Sequence, residues 1–178
     1  MNQNLTTPAF DEYRRGREPQ PMHSDAQRYQ GDTDPMSPTD GLENWRDGGD
    51  TNDTPAPAPP VLDGKPEESR LWVVMDNDVL HAPELCDFGS AREAQCVKHS
   101  NLTGGQQAYA GGEFVFLDDK TVVLNGCSGR YRIRTHTEMS AIETAFRKSG
   151  YRIWSMGWND DTNRPALFGT QDPIWVRL

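Results

Sequence analysis

Three glycine-bounded stretches gather the side chains able to move a proton or hold an anion: His99-Ser100-Asn101-Leu102-Thr103-Gly104-Gly105, Ala110-Gly111-Gly112-Glu113, and Asn125-Gly126-Cys127-Ser128-Gly129-Arg130-Tyr131. Glycines serve ordinary turns as readily as close approach to a ligand, so the chemistry rests on the polar residues between them. His99 and Glu113 supply the acid and base of a metal-free transesterification. One takes the proton of a 2′-hydroxyl and the other protonates the leaving oxygen. Arg130 is the candidate for stabilising charge on the phosphorus oxygens. Ser128, Tyr131 and Arg132 complete the set as substrate-binding residues. Cys127 offers a competing arrangement, a thiolate activated by His99, against the commoner role of cysteine as a small buried residue. The four histidines, His23, His81, His99 and His136, follow no metal-ligand spacing, so no metal is expected.

Arg130, Arg132, Arg134 and His136 recur with a period of two. On a continuous strand they share one face, and such a row suits phosphate because a guanidinium bonds two of its oxygens at once. The plainer reading is a solvated strand face. A glutamate, a tyrosine and an arginine also suit transfer of ADP-ribose from NAD, which is then a substrate; no bound cofactor is expected.

The elements that must position these groups divide unevenly. Residues 1–70 hold 10 of the 13 prolines, 14 acidic against 7 basic residues and 15 of the 61 hydrophobic residues. This composition predicts a disordered tail and linker, with 71–178 as a compact domain. Residues 55–60 read as a polyproline spacer. Thr7-Pro8 before Phe10 and Tyr13, and Ser37-Pro38 before Leu42 and Trp45, read either as short motifs that fold against a partner or as incidental apolar residues. In the second half, 71–75 with 79–80 and 113–117 with 121–124 predict two hairpins. Strands are expected at 131–134, 151–156 and 174–176. One helix runs from a Thr137 cap through Met139, Ile142 and Phe146 to Gly150. The fold class is α+β, a mainly antiparallel sheet with one packed helix, preceded by a disordered N-terminal tail.

The net charge of −9 comes mostly from residues 1–70 and says little about what 71–178 touches; the slightly negative balance of 71–178, 13 acidic against 11 basic residues, argues against broad duplex-DNA binding. Cys86, Cys96 and Cys127 form no CxxC, so neither a disulfide framework nor a thiol-rich zinc site is indicated. No run of 18 apolar residues is present and the first 30 residues contain no apolar signal core, so neither a membrane span nor a cleaved export signal is expected.

The stretch from Leu71 to Leu80, the His99 loop, the Ala110-Gly111-Gly112-Glu113-Phe114 strand start and the Ser128-Gly129-Arg130-Tyr131 signature together resemble, over 71–150, a C-terminal domain of bacterial polymorphic toxins. The likeness places the family histidine on His99, its glutamate on Glu113, and its serine, glycine and tyrosine on Ser128, Gly129 and Tyr131. The signature histidine falls on Arg130, a departure. The resemblance implies an effector context and not a reaction: a protein made in the bacterial cytoplasm and delivered into a target cell, with an immunity protein or secretion chaperone as partner. RNA or a nucleotide as substrate follows instead from the acid–base reading of His99, Glu113 and Arg130. The contrasting class is a non-catalytic immunity or adaptor module, for which exposed tryptophans among Trp72, Trp154, Trp158 and Trp175 would argue.

Overall fold

The computed structural model describes residues 8–49 and 58–178. Residue 7 and residues 55–57, invoked above for a helix cap and for the first half of the polyproline spacer, lie outside the described residues. Nine strands are described: β1 (Glu43–Asn44), β2 (Arg70–Val74), β3 (Val79–Pro83), β4 (Ala110–Asp118), β5 (Thr121–Asn125), β6 (Arg152–Ser155), β7 (Trp158–Asn159), β8 (Arg164–Pro165) and β9 (Ile174–Trp175). The helices are α1 (Ala9–Arg14), α2 (Asp87–Ser90), α3 (His99–Thr103) and α4 (His136–Lys148).

The protein is α+β, as its sequence predicts. Seven strands form one sheet in the order β1-β3-β2-β4-β5-β6-β9, and β7-β8 is a separate pair. All neighbours in the large sheet are antiparallel except β5 and β6. Their parallel pairing follows from α4, which lies between them in the chain and supplies the crossover such a pair requires.

β2 is buried on both faces, which explains its unbroken apolar run. Trp72 and Val74 enter a core with Phe146, Ile142 and Met139 of α4. Leu71 and Val73 enter a second core with Leu102 of α3, Phe88 and Tyr131. α4 begins one half-turn earlier than expected. Thr135, extended at φ −139°, accepts the Glu138 amide at 3.0 Å, a bond that Thr137, already inside the helix, cannot make. The helix stops before Gly150, where φ is +95° and an added Cβ would stand 2.1 Å from the Gly49 carbonyl.

Residues 8–49 depart from the expected disordered tail. Phe10 of α1 meets Phe146 of α4 edge-on at 5.1 Å, and Arg14 donates to the carbonyls of Met75 at 2.8 Å and Asp78 at 3.2 Å, closing the β2–β3 turn. Trp45 is 1% exposed, ringed by Phe114, Phe146 and Tyr151, and its indole N–H donates to Ser149 Oγ at 2.9 Å. β1 pairs with β3 at the sheet edge. Composition averaged over 70 residues conceals that Phe10, Tyr13, Met36 and Trp45 are buried. An isolated helix of six residues is marginal in water, and here packing against α4 supplies what propensity does not. The two short motifs around Phe10 and Trp45 therefore fold against their own chain.

Residues 131–134 do not form the expected strand. They carry no regular secondary structure and are pinned where the Gly111 amide donates to the Tyr131 carbonyl at 2.9 Å and Gln20 Nε2 donates to the Arg132 carbonyl at 2.9 Å. None of the five tryptophans is exposed: Trp45, Trp72 and Trp154 are buried and Trp158 and Trp175 half-buried. The observation that would favour a tryptophan-based docking module is thus not made. No described helix is long and apolar enough to cross a membrane.

The burial of Trp45 gives a direct measurement. Trp45→Ala should destabilise the protein by about 3–5 kcal/mol in urea unfolding, and a chain lacking residues 1–49 should lose its cooperative transition. A disordered tail would leave both unchanged.

Candidate functional site

Gly111 and Glu113 alternate on β4 and share the face that carries α3, and in the register Glu113 stands opposite both Leu71 of β2 and Asn125 of β5. The missing side chain at Gly111 is filled from above. A Cβ there would stand 2.8 Å from His99 Cδ2 and 3.2 Å from Ser128 Oγ, so imidazole and hydroxyl converge over one backbone position. His99 opens α3, whose turn is closed by the Lys98 amide donating to Asn101 Oδ1 at 2.9 Å.

His99 Nε2 lies 2.9 Å from the Gly112 carbonyl, which can only accept. The proton therefore sits on Nε2, and Nδ1 keeps a lone pair that no described group engages. Burial, opposed by that bond and by Glu84 and helped by the charges of Arg130 and Lys65, brings the imidazole pKa down to about 4. The ring is neutral at pH 7.

Glu113 is 7% exposed. Its Oε1 accepts from Asn125 Nδ2 at 3.1 Å, while Asn125 Oδ1 accepts the backbone amides of Glu113 and Cys127, each at 3.0 Å. Its other oxygen pairs with Lys65 Nζ, and Lys65 also pairs with Glu84. Burial works to lower the Lys65 ammonium, but the hydrogen bonds and charges of Glu113 and Glu84 outweigh it and hold its pKa above the ordinary value.

His99 and Glu113 line one cleft of about 230 Å³, bordered also by Glu84, Cys127, Ser128 and Arg130, with Lys65 reaching it through its ion pairs to Glu84 and Glu113. The structure thus brings together His99, Glu113, Ser128 and Arg130. Their freedom differs. Arg130 Nε donates to Ser100 Oγ at 3.0 Å, and its Nη2 donates to Asp32 Oδ2 at 3.0 Å and to the Gln27 carbonyl at 2.6 Å. Burial pushes the Asp32 carboxyl up, yet the Tyr29 amide and the hydrogen bond and charge of Arg130, with the charge of Arg28, leave it below its usual range. Arg130 is held as an internal tie between the N-terminal segment and α3.

Tyr131 does not reach the cleft. It is fully buried in the second core, its hydroxyl donating to the Gln106 carbonyl at 2.7 Å and lying 2.8 Å from Thr103 Oγ1. Arg132 is exposed and faces an adjoining cleft. Ser128 Oγ accepts the amides of Arg130 at 3.3 Å and Tyr131 at 3.1 Å, which folds the loop and leaves its own hydrogen available. Cys127 does not suit the thiolate arrangement: burial and the charge of Glu113 push its pKa up to about 12, and its sulfur lies against the carbonyls of Ala166 and Pro165.

Local sequence does not single out Lys65, Glu84, Asn125 or Asp32 as partners of these groups. Lys65 is the single lysine of the first 70 residues, an isolated signal in a segment whose composition reads as linker. Among the described residues no group of three His, Cys, Asp or Glu side chains is placed to hold a metal ion. No family model, curated protein or solved structure matches this chain.

Burial of neutral histidines sets an acid limit on stability. His99 has its pKa brought to about 4; burial and the Arg70 guanidinium, which donates to Nδ1 at 2.9 Å, bring His81 to about 3. Between the unfolded value near 6.5 and these folded values, the unfolded chain binds protons that the native one does not, so stability falls as pH falls. Each should cost about 2 kcal/mol between pH 7 and pH 5. Urea denaturation at the two values measures the drop, and a flat profile would contradict the neutral assignments.

Proposed function

We propose that this chain is a bacterial effector domain, a toxin that cleaves RNA or turns over a nucleotide by metal-independent proton transfer at the His99 cleft. The observation that carries the reading is the state of His99: a neutral imidazole with Nε2–H fixed on the Gly112 carbonyl and an unengaged Nδ1, in one cleft with Ser128 and with Glu113, which pairs with Lys65. A neutral, oriented imidazole is a general base. Nδ1 takes the proton of the attacking hydroxyl, whose oxygen bonds to phosphorus as the bond to the leaving oxygen breaks. The Lys65 ammonium, held between Glu113 and Glu84, faces the developing negative charge and returns a proton to the leaving oxygen. Glu113 works through Lys65. The structural engagement of Arg130 favours Lys65 over it for the anion-stabilising role.

The effector setting rests on the resemblance and the chemistry on the cleft, and they are tested separately. Purified protein should cleave single-stranded RNA or turn over a nucleotide at a rate unaffected by EDTA. His99→Ala should lower it at least about 100-fold while far-UV circular dichroism and urea midpoint stay near wild type. The acid limb of the wild-type profile should fall near pH 4, the folded value of His99, and not near 6.5. Chelator-sensitive turnover, or full turnover in the His99 variant, would reject the mechanism. Expression in the bacterial cytoplasm should arrest growth for the wild type and not for His99→Ala.

A further inference from the structure

A second cleft, of about 460 Å³, opens on the far side of the Ser128 loop and shares Cys127, Ser128 and Gly129 with the His99 cleft. Arg132, Arg134 and Arg164 line it. Arg132 and Arg134 come from the irregular segment after β5. Arg164 comes from the β7–β8 hairpin, whose tip is set by Asn163 at φ +53° and whose register pairs Asn159 with Arg164. Asparagine tolerates this left-handed geometry better than most residues. All three arginines are exposed, and among the described residues none of the three guanidinium groups makes a hydrogen bond or an ion pair.

That absence of partners is informative in a chain of net charge −9. Arg14, Arg70, Arg92, Arg130 and Arg152 all find a carboxylate. Three like charges gathered around one concavity repel one another and concentrate positive potential there, which a bound polyanion relieves. The walls also include apolar surface, with Ile133 and Pro165 beside Leu167, which is 57% exposed. Guanidinium groups that chelate phosphate, set beside an apolar wall that can take a base, are the two components of single-strand recognition. The volume lies in the small-ligand range, too small for a duplex.

We propose that this cleft is the strand-binding subsite of the same reaction: single-stranded RNA lies across it with successive phosphates on Arg132, Arg134 and Arg164, and passes over Ser128 into the His99 cleft. This deepens the reading above and rests on it for the choice of RNA. It also accounts for the split of the arginine row. Arg130 turns inward to Asp32, and Arg132 and Arg134 turn outward to the ligand.

Fluorescence anisotropy of the full chain carrying His99→Ala, with a short fluorescein-labelled single-stranded RNA as probe, tests the subsite without cleavage. Each of Arg132→Ala, Arg134→Ala and Arg164→Ala should weaken binding about tenfold, and the triple variant at least about 100-fold. The slope of log K against log salt should fall by about 0.7 per arginine removed. Arg15→Ala, exposed at the end of α1, should change nothing. No binding by the starting protein, equal binding by the triple variant, or equal affinity for a duplex of the same sequence would overturn the assignment. Arginine-dependent RNA binding together with undiminished turnover by His99→Ala would keep the subsite and reject the His99 mechanism. Loss of turnover in His99→Ala, with KM unmoved by the arginine substitutions, would do the reverse.

Discussion

Two consecutive glycines in β4 let ring systems close on the sheet from opposite sides. His99 lies over Gly111, and Trp72 lies over Gly112, where an added Cβ would stand 2.4 Å from the indole. Alternation along a strand sends these two positions to opposite faces, so one dipeptide admits both a core tryptophan and a site histidine. Trp72 also donates its indole N–H to the Glu113 carbonyl at 3.2 Å and meets Phe146 at 5.1 Å, tying α4 to the strand that carries the carboxylate. Any side chain in either place would push one layer away from the sheet, and with it either the core or the cleft.

The N-terminal segment completes that arrangement. Asp32 anchors Arg130, the Asp32 carbonyl accepts from Ser100 Oγ, and Asn101 Nδ2 donates to the carbonyls of Gly31 and Asp34 at 2.9 Å each. α3 has only five residues and would not persist alone. It is held by a loop some seventy positions earlier in the chain, and through it the orientation of His99 is held as well. Lys65 comes from the same half. A half of the sequence that reads as tail thus supplies both the brace of the site and one of its charges.

The electrostatic pattern separates charges satisfied within the fold from those that are not. Arg130 and Asp32 are sequestered together, and the Lys65 ammonium is clasped by two carboxylates. Lys65 nevertheless keeps 43% of its side chain exposed; Arg130 and Asp32 are satisfied internally and hold shape. His99 Nδ1 and the guanidinium groups of Arg132, Arg134 and Arg164 are not, and these residues line two clefts that share the Ser128 loop. Polar groups left without internal partners are the ones with affinity remaining for something outside.

Periodicity and turn chemistry are local properties, and they sufficed for the β2–β3 and β4–β5 hairpins, for α4 and for the α+β class. They also sufficed to pick out His99, Glu113, Ser128 and Arg132 as chemically interesting, because a polar residue beside glycine is visible one position at a time. They failed where a residue's state depends on a distant partner. Whether Trp45 is buried is decided by Phe146 and Tyr151, and whether Arg130 is free is decided by Asp32. The parallel β5–β6 pairing, the inward turn of Tyr131 and the membership of Lys65 belong to the same kind. The sequence by itself determined which segments could be strands or helices and which side chains could do chemistry, since both follow from neighbours along the chain. Only the tertiary structure decided which of those side chains remain unpaired, because pairing is set by contacts between residues tens of positions apart.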